Sequence, residues 1–589
     1  MKVSDYVAQF LSANGVRTVF GLQGGAVVHL FDSIEKTDNI SAVYCHHEQA
    51  AALAATSYAK VVGGLGAVVI TTGPGCTNAL TGLLAAWQDS VPVMFISGQT
   101  RVEHTSYGKP VRQVGSQEFN ILDVVRPMTK YSRLLRDPDE MEAVFREAHF
   151  HALDGRMGPV WIDLPVNLQW ETLDVGTPCR LALPTTARIA ASGAVADFPR
   201  LLDLVRYAKR PVIIAGNGIR AAGCQEELLY FTKNCGVPFV STWTAADLTA
   251  TNDPLFGGII GVCGQRGANK ILYHADLIIC LGSHLAVTQS GTLFKEFAPD
   301  AKKVIIDIDK GELDNLNVDF DLKIHSDLRD FFEFYRTHPC NIQVQPVWIK
   351  EFSALKELNS VVATLTAKSS IGNDQHVNSN YFNFKLTEKI PVDSHIVVDG
   401  GGTALYTGFQ STFLKRGQRI ICSSSISAMG TGLPESIGVC FGLARSTVYC
   451  LIGDGSLMLN IQELQTIFHH KLPVKVIVYN NKGYLAIRHT QKSFLGGRYF
   501  GTDSELGVSV PSIKRIADCF EIDYLEIGNV GQVDTLIDAI VSHPGPLIVE
   551  VNVPDDQSML FQQGYRRISP ERFQPVTLSE MAPYVDAAS

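Results

Sequence analysis

One stretch, residues 448–487, constrains the fold of this 589-residue chain more than any other. It reads VYCLIGDGSLMLNIQELQTIFHHKLPVKVIVYNNKGYLAI. The apolar run Val448–Ile452 predicts a β-strand, and a second run, Val474–Tyr479, predicts another. The segment between them has helical periodicity in its apolar residues, which are Ile461, Leu464, Ile467 and Phe468. Strand, helix and strand of these lengths predict a right-handed βαβ unit with parallel strands.

The turns after these two strands carry polar residues of a particular kind. Asp454 follows the first strand and Asn481 follows the second, so both are expected at the edge where open α/β sheets bind ligands. A carboxylate, an amide oxygen and a nearby backbone carbonyl form the all-oxygen shell that Mg²⁺ prefers. Gly455 and Ser456 can offer backbone N–H groups to an anion at the start of the helix. The alternative is an ordinary strand-to-helix turn.

The whole chain is too long for one hydrophobic core, and its pattern predicts three α/β blocks. Apolar runs that end in turn residues indicate parallel sheets covered on both faces. Besides the two strands above, the predicted strands are Ala67–Thr72, Val91–Ser97, Val160–Leu164, Pro211–Ala215, Pro238–Thr242, Leu277–Leu281, Val304–Ile308, Ile396–Val398 and Leu547–Val551.

The predicted fold class is α/β, with three doubly wound parallel-sheet domains. A Pro/Thr/Ala-rich segment at about 170–190 and a segment with scattered Ser, Asn, Pro and Gln at 336–375 indicate two linkers. The predicted domains are residues 1–170, 190–335 and 376–555, followed by a tail or lid at 556–589.

Composition excludes several function classes. Lys and Arg number 50 against 59 Asp and Glu, a net charge of −9 without a basic block, which disfavours nucleic-acid binding. The 12 cysteines lack the spacing of a disulfide framework or a zinc site. The N-terminus indicates an amphipathic helix rather than a signal peptide, and no apolar run is long enough for a membrane span. A cytoplasmic protein without a membrane partner is therefore expected.

The first block contains a candidate catalytic acid. Glu48 opens a predicted helix of small and apolar residues, so its carboxyl group is expected in a poorly solvated place. Burial favours the protonated form of a carboxyl, which can donate a hydrogen bond. The alternative is that Glu48 only complements the helix dipole, as acidic residues in a first turn often do.

The motifs together resemble the thiamine diphosphate (ThDP) enzymes, and most closely the acetohydroxyacid synthase (acetolactate synthase) family. The resemblance covers nearly the whole chain: FGLQGGA at 20–26, HEQ at 47–49, TTGPGCTNALTGLLAAWQDSVPVMFISGQ from 71, SQE at 116–118, SAMGTGLPESIG at 427–438 and the GDG…NN motif. It implies that Asp454, Asn481 and the carbonyl of Gly483 bind Mg²⁺. It also implies that Glu48 hydrogen-bonds the cofactor's aminopyrimidine ring.

The same resemblance assigns further residues by position. It places Pro74 and Asn78 at the pyrimidine, Met429 as the prop that bends the cofactor, and Gln117 in the active-site channel. For Gln117 an exposed loop residue is the alternative, and for Met429 a core residue. Other implied ThDP contacts are Gly24, Gly25, Gly401, Gly402, Thr403, Gly455, Ser456, Tyr484, Leu485 and Ile487. In the family Glu48 and Asp454 come from different subunits, which implies a homodimer or homotetramer with active sites at the subunit interface.

Two substitutions depart from the synthase pattern. Thr490 stands where the synthases have a tryptophan in the second-substrate pocket, and Thr288 stands where they have an arginine for the acceptor's carboxylate. Loss of the guanidinium removes bidentate carboxylate recognition, and loss of the indole opens the pocket. Arg488, His489 and Arg498 suit an anionic acceptor, or are ordinary surface charge.

This pattern resembles the carboligases of branched-chain deoxysugar biosynthesis, which move a two-carbon unit from pyruvate to the ketone of a nucleotide-activated sugar. The alternatives are acetolactate synthase proper, a 2-keto-acid decarboxylase, a flavin-dependent oxidase and a catalytically silent homologue that binds nucleotides.

The second block resembles the FAD-binding domain of the synthases. Asp307 is the expected partner of the adenosine ribose, and the other implied FAD contacts are Gly216, Gly218, Thr242, Gly261, Ile308 and Asp327. Four family positions differ: Ser116, Cys263, Ala286 and Thr288 replace Phe, His, Asp and Arg. The resemblance implies FAD in a structural rather than a redox role; an empty packing module is the alternative.

Overall fold

The computed structural model describes residues 1–182, 194–339, 342–366, 371–569 and 572–582. Three parallel sheets of six strands each, flanked by helices, confirm the predicted α/β class. No helix in these ranges is both long and apolar enough to span a bilayer.

The first sheet has the strand order β2-β1-β3-β4-β6-β5. Its strands are β1 Thr18–Gly21, β2 Ser41–Tyr44, β3 Gly66–Ile70, β4 Val93–Gln99, β5 Tyr131–Leu134 and β6 Val160–Pro165. Its helices are α1 Val3–Ala13, α2 Val28–Lys36, α3 Glu48–Val62, α4 Pro74–Asn78, α5 Leu80–Gln88, α6 Leu122–Val125, α7 Met141–Leu153 and α8 Val166–Gln169.

The second sheet has the order β9-β8-β7-β10-β11-β12, which is the 3-2-1-4-5-6 order of dinucleotide-binding folds. Its strands are β7 Pro211–Ala215, β8 Phe239–Ser241, β9 Phe256–Ile259, β10 Leu277–Leu281, β11 Lys302–Asp307 and β12 Leu322–His325. The helices are α9 Ala194–Tyr207, α10 Gly218–Ala221, α11 Gln225–Cys235, α12 Arg266–His274, α13 Val287–Ser290, α14 Lys310–Asp314, α15 Leu328–Thr337, α16 Pro346–Glu357 and α17 Val361–Thr366.

The third sheet, in the order β14-β13-β15-β16-β18-β17, repeats the topology of the first. Its strands are β13 His395–Val398, β14 Ile420–Ile421, β15 Val448–Gly453, β16 Val474–Asn480, β17 Asp523–Ile527 and β18 Leu547–Asn552. The helices are α18 Ser379–Lys389, α19 Gly402–Ser411, α20 Gly432–Gly442, α21 Asp454–Leu457, α22 Glu463–His469, α23 Leu485–Phe494, α24 Ile513–Cys519 and α25 Val533–Ser542.

The first and third domains share one hydrophobic core, in which α3 packs against α20. The contact face of α3 is built from buried alanines, among them Ala50, Ala51, Ala54 and Ala55. Because these side chains are small, the two helix backbones approach closely: a side chain at Gly438 would overlap the carbonyl of Ala54. Domains one and three therefore form one packed unit.

Two predictions made from the sequence need correction. The helical pattern after Asp454 forms two helices, α21 and α22, because the chain turns between them and Asn460 Nδ2 donates to the carbonyl of Gly430 at 2.7 Å. The predicted linker at 336–375 contains α16 and α17. Trp348 and Phe352, one turn apart on α16, are buried in the core of the second domain.

The segment after β18 bridges the second and third domains. It contains the short strands β19 Gln562–Gln563, β20 Tyr565–Ser569, β21 Arg572–Pro575 and β22 Met581–Ala582. Gln563 N donates to the carbonyl of Val262 at 2.8 Å, and Leu578 joins the core of the second domain. The predicted tail or lid at 556–589 is described only in part, since residues 570, 571 and 583–589 lie outside the described ranges.

Candidate functional site

The turns after β15 and β16 form a buried oxygen-rich site. Asp454 is buried, and its Oδ1 and Oδ2 accept hydrogen bonds from the backbone N–H groups of Gly455 and Gly483 at 2.8 and 2.9 Å. Burial raises the pKa of Asp454 to about 6, and these N–H groups partly offset the effect. Asn481 Nδ2 donates to Thr403 Oγ1 at 2.9 Å, whereas Asn481 Oδ1 is buried without a partner.

An orphaned amide oxygen next to a buried carboxylate fits a hard cation. Buried polar atoms are usually hydrogen-bonded in folded proteins, and Asn481 Oδ1 is available to accept a ligand on this turn. The donor set of Asp454, Asn481 and the Gly483 carbonyl matches Mg²⁺, which binds through few protein oxygens and completes its shell with phosphate and water. Gly455 N–H, expected to face an anion, donates instead to Asp454.

The backbone at Gly483 requires glycine. Its φ is +136°, and a side chain there would overlap the carbonyl of Thr502. Arg488 stabilises the same turn. Its Nη2 donates to the carbonyl of Asn481 at 2.7 Å, and its Nη1 lies 4.0 Å from Asp503 Oδ2. With 8% of its surface exposed, Arg488 is not the surface charge considered in the sequence analysis. Arg488 therefore supports the turn at residues 481–483, which together with Asp454 is the proposed metal turn.

The Gly-rich loop after β13 lies against this turn. A side chain at Gly401 would overlap Ser456 Oγ, so only glycine allows the loop to approach. Asp399, fully buried, accepts from the N–H groups of Gly401 and Gly432 at 2.8 and 3.0 Å. Burial raises the pKa of Asp399, while these N–H groups lower it.

The remaining residues predicted for the diphosphate side converge on the same place. Thr403, at the start of α19, contacts Asn481 as described. Gly402 lies against Ala486, and Gly455 lies against the ring of Tyr484. Leu485 is buried at the start of α23, whereas Ile487 is 48% exposed.

Met429 lies on the loop that precedes α20, at the same edge. The loop is held by the Asn460 bond to Gly430, and Gly400 packs against Ala428. Met429 itself is 37% exposed, which is unusual for a core methionine. An apolar side chain exposed beside a polar site fits a prop for a bound molecule.

A second group of predicted residues lies at the equivalent edge of the first sheet. Glu48, with 6% of its surface exposed, begins α3, and its Oε2 accepts from Asn78 Nδ2 at 3.0 Å. Gly75, next to Pro74 at the start of α4, lies against Glu48 Oε1. The sequence predictions for Glu48, Pro74 and Asn78 thus fall in one cluster.

Gln117 borders this cluster through its backbone. Its φ is +57°, and its carbonyl accepts a long hydrogen bond, 3.4 Å, from Thr72 Oγ1. Gly24 packs against Thr71, whereas Gly25 faces open space.

The two groups are not joined within one chain. In the described part of the chain, no hydrogen bond links the Glu48 cluster to Asp454, Asn481 or the Gly401 loop. Each group lies at the carboxyl edge of its own sheet. The described part of the chain thus has two separate clusters of candidate residues, each a candidate half-site.

The residues predicted for the acceptor pocket are spread over two domains. Thr490 is exposed on α23, where its Oγ1 donates to the carbonyl of Ala486 at 3.1 Å. Burial lowers the pKa of the half-buried His489. Thr288 is exposed in the second domain, and its carbonyl accepts from Val262 N at 2.9 Å.

The residues predicted to bind FAD have mixed surroundings. Gly216 N and Gly218 N donate to the carbonyls of Leu281 and Gly282 at 2.9 and 3.0 Å, so these amides are not free for a phosphate. Thr242 N and Gly261 N are likewise bonded within the chain. Asp327 caps α15 and pairs with Arg329 at 2.5 Å.

Asp307 is a partly buried predicted FAD contact whose carboxylate is hydrogen-bonded to a backbone N–H group. It lies at the end of β11, where one carboxylate oxygen accepts from Asp309 N at 2.9 Å. Burial raises the pKa of Asp307, and the Asp309 N–H, Arg156 and the exposed His284 partly offset the rise. The carbonyl of the adjacent Ile308 lies 3.0 Å from His325 Nε2.

Sequence reasoning missed Asp399 and the role of Arg488. Asp399 directly precedes the Gly-rich loop, and its position at the end of a predicted strand could have identified it as a candidate site residue. The sequence does not predict the role of Arg488, because its contacts with Asn481 and Asp503 depend on how the turn packs against α23.

Comparison with known proteins gives matches along most of the chain. The family descriptions "Thiamine pyrophosphate enzyme, N-terminal TPP binding domain", "central domain" and "C-terminal TPP binding domain" match residues 1–124, 199–334 and 400–551. The chain is 30% identical to an acetolactate synthase of Arthrospira platensis over 561 residues, 93% of each chain. It is 28% identical to the acetolactate synthase isozyme 2 large subunit of Escherichia coli (strain K12), over 94% of this chain and 96% of that one.

Proposed function

Because the chain belongs to the thiamine pyrophosphate enzymes and is acetolactate synthase-like, we propose that it decarboxylates pyruvate and transfers the two-carbon unit to a large ketone. The ketone that we propose is that of a nucleotide-activated deoxy-ketosugar. The observation that carries the cofactor assignment is the orphaned Asn481 Oδ1 beside the buried Asp454. In this proposal Asp454, Asn481 and the Gly483 carbonyl bind Mg²⁺, and the Gly401 loop approaches the diphosphate.

Bound ThDP would supply the carbanion chemistry, and the protein would supply orientation and electrostatics. Glu48 is proposed to hydrogen-bond the aminopyrimidine ring, because its carboxyl group is buried and fixed by Asn78 at 3.0 Å. Met429 would support the bent cofactor from the opposite domain. These roles require the acid and the metal turn to face the same molecule.

We propose that a homodimer, or a tetramer of such dimers, brings the half-sites together. Glu48 of one subunit would then serve the cofactor bound at Asp454 of another. Support comes from the two separate half-sites and from the exposure of Met429 and Ile487, 37% and 48%, at the edge that a second subunit would cover.

The acceptor proposal rests on the two threonines. Thr490 and Thr288 are both exposed, and neither supplies a guanidinium or an indole. A pocket without a fixed guanidinium lacks the bidentate fork that selects a 2-keto acid as acceptor. Acetolactate synthase proper is the second candidate, since the relatives matched over nearly their whole length carry that name.

Product analysis separates these two candidates. The protein is incubated with ThDP, Mg²⁺ and pyruvate, with and without a nucleotide-activated deoxy-ketosugar. We expect the C-acetylated sugar as the main product and only slow formation of acetolactate. Efficient acetolactate formation that the sugar does not divert would contradict the proposal and support the synthase.

A Thr490→Trp variant serves as the matched test of the pocket. The added indole is expected to occupy space that the sugar needs, and so to lower kcat/KM for the sugar by about 10- to 100-fold while small acceptors are still used. Thr337→Trp, at an exposed position at the end of α15, is the control for adding an indole elsewhere.

We propose FAD as a second, structural cofactor of the middle domain. Support comes from the 3-2-1-4-5-6 strand order and from Asp307, which can accept from a ribose hydroxyl. Since the Gly216 and Gly218 amides are occupied, the exposed His284 is our candidate for the diphosphate.

We expect the purified protein to show the absorption spectrum of oxidised flavin, and Asp307→Ala to lower the flavin content. The flavin is expected to stay oxidised when pyruvate is added without oxygen. A colourless protein that takes up no flavin would make the domain a packing module, and reduction by pyruvate would favour an oxidase.

A further inference from the structure

Glu463 is a buried carboxyl group that no role described so far uses. It begins α22 in the third domain, yet its side chain reaches the first domain. Glu463 Oε1 accepts from the backbone N–H of His46 at 3.0 Å, and Oε2 accepts from Thr466 Oγ1 at 2.7 Å. A hydrogen bond therefore joins the domain of the metal turn to the turn that precedes Glu48.

That turn connects β2 to α3 and fixes where the helix begins. Within the turn, His47 Nδ1 accepts from Gln49 N at 3.1 Å and caps the helix. The cap orients the first turn of α3 but does not fix the turn relative to the rest of the protein. The packing of α3 on α20 places the helix as a whole, and the Glu463 bond to His46 N adds a contact from the third domain at the turn itself.

The surroundings of Glu463 make a purely structural bond costly. Its side chain is fully buried, and in the described part of the chain no Lys, Arg or His forms an ion pair with it. Burial raises the pKa of Glu463 to about 7, while Thr466 and the N–H groups of His46 and His47 lower it. A buried carboxyl without an ion pair is tolerated only where its oxygens accept hydrogen bonds, so the bonds from His46 N and Thr466 Oγ1 account for its place here.

We propose that Glu463 is a positioning residue for Glu48. Through Glu463, the third domain of a chain positions Glu48 of the same chain, and that Glu48 acts on the cofactor bound by the partner subunit. The inference rests on the proposed function, in which Glu48 acts on a cofactor held by another subunit. It adds a physical link between the two active sites of a dimer, because one chain's GDG motif and α22 lie in the same domain.

The first test needs no cofactor. Hydrogen exchange of the His46 amide is measured in the cofactor-free protein by mass spectrometry or NMR. Glu463→Ala and Glu463→Asp, which remove or withdraw the acceptor, are expected to speed exchange by about 10-fold or more. Glu463→Gln keeps an acceptor oxygen and is expected to stay within about 3-fold of the parent protein.

The matched control is Glu435→Ala. Glu435 is also fully buried in the interface between the first and third domains, and burial raises its pKa to about 7 as well. Its Oε1 accepts from Ser423 Oγ rather than from the Glu48 turn. His46 exchange is therefore expected to be unchanged in this variant.

The second test uses the protein with Mg²⁺ and ThDP. For Glu463→Asp we expect kcat and the rate of thiazolium proton exchange to fall by about 10- to 100-fold, with KM for pyruvate and the Kd of ThDP unchanged. Glu463→Gln should restore most of the rate. Unchanged His46 exchange in both Glu463→Ala and Glu463→Asp, or unchanged kcat in Glu463→Asp, overturns the inference.

The proposed function and the positioning role of Glu463 can be refuted separately. If Glu48→Gln keeps full turnover, the proposed function fails, whatever Glu463 does. If Glu48→Gln is inactive and Glu463→Asp is fully active, only the positioning role fails. Glu463→Asp keeps the carboxyl group and most of the packing, so the test does not depend on whether the alanine variant folds.

Discussion

Glu48→Gln is expected to lower kcat by about 10²- to 10⁴-fold while ThDP and Mg²⁺ still bind. The amide has nearly the shape of the carboxyl group and can still accept from Asn78, so the local structure should persist. It cannot exchange a proton with the aminopyrimidine ring as a carboxyl group can. The measurements are kcat with pyruvate, the Kd of ThDP and the thiazolium proton exchange rate.

Glu103→Gln is the control for this first prediction. Glu103 lies in the same domain but is half-exposed and pairs with Arg101 at the surface. Its neutralisation is expected to leave turnover unchanged. Full turnover by Glu48→Gln would remove the catalytic acid from the scheme and favour a homologue that binds nucleotides without catalysis.

Asp454→Ala is expected to abolish Mg²⁺-dependent binding of ThDP. Changes around a metal ligand alone cost about 10- to 100-fold in affinity, so loss of the only carboxylate in this ligand set should exceed about 100-fold. The buried Asn481 Oδ1 would then face neither metal nor water. Calorimetric titration with ThDP, with and without Mg²⁺, measures the loss; undiminished affinity would refute the proposed metal turn.

Mixing the two inactive variants tests the shared site. In a heterodimer of Glu48→Gln and Asp454→Ala subunits, one site carries both changes and the other carries neither. Random exchange of subunits in a symmetric dimer is therefore expected to restore about one quarter of the parent activity. No recovery, with exchange of subunits demonstrated, would place both residues in the same subunit's site.

The sequence predicts the central strands well, and the physical reason is burial on both faces. The runs Val448–Ile452 and Val474–Tyr479 lie in β15 and β16, all of whose residues but Asn480 are buried. The edge strands lack such a continuous apolar run in the sequence. Ser41–Tyr44 has only one fully buried residue, and Asp523–Ile527 is similarly half-solvated.

Residues that act through short motifs are also predictable from sequence. Asp454 and Asn481 follow buried strands, so their place at the sheet edge follows from local pattern. Arg488 is different, because the pattern shows a charge but not whether it is buried. Glu463 is more remote still: its partner His46 lies 417 residues away in the chain, and only tertiary packing brings the two together.

The first and third sheets have the same strand order, so their loops correspond in pairs. Gly24 and Gly401 follow the first strand of their sheets, Pro74 and Asp454 follow the third, and Glu48 and Met429 both follow the second. In the proposed dimer, corresponding loops of two subunits would therefore contact opposite ends of the same cofactor. Each subunit would supply a different member of every pair to each of the two sites.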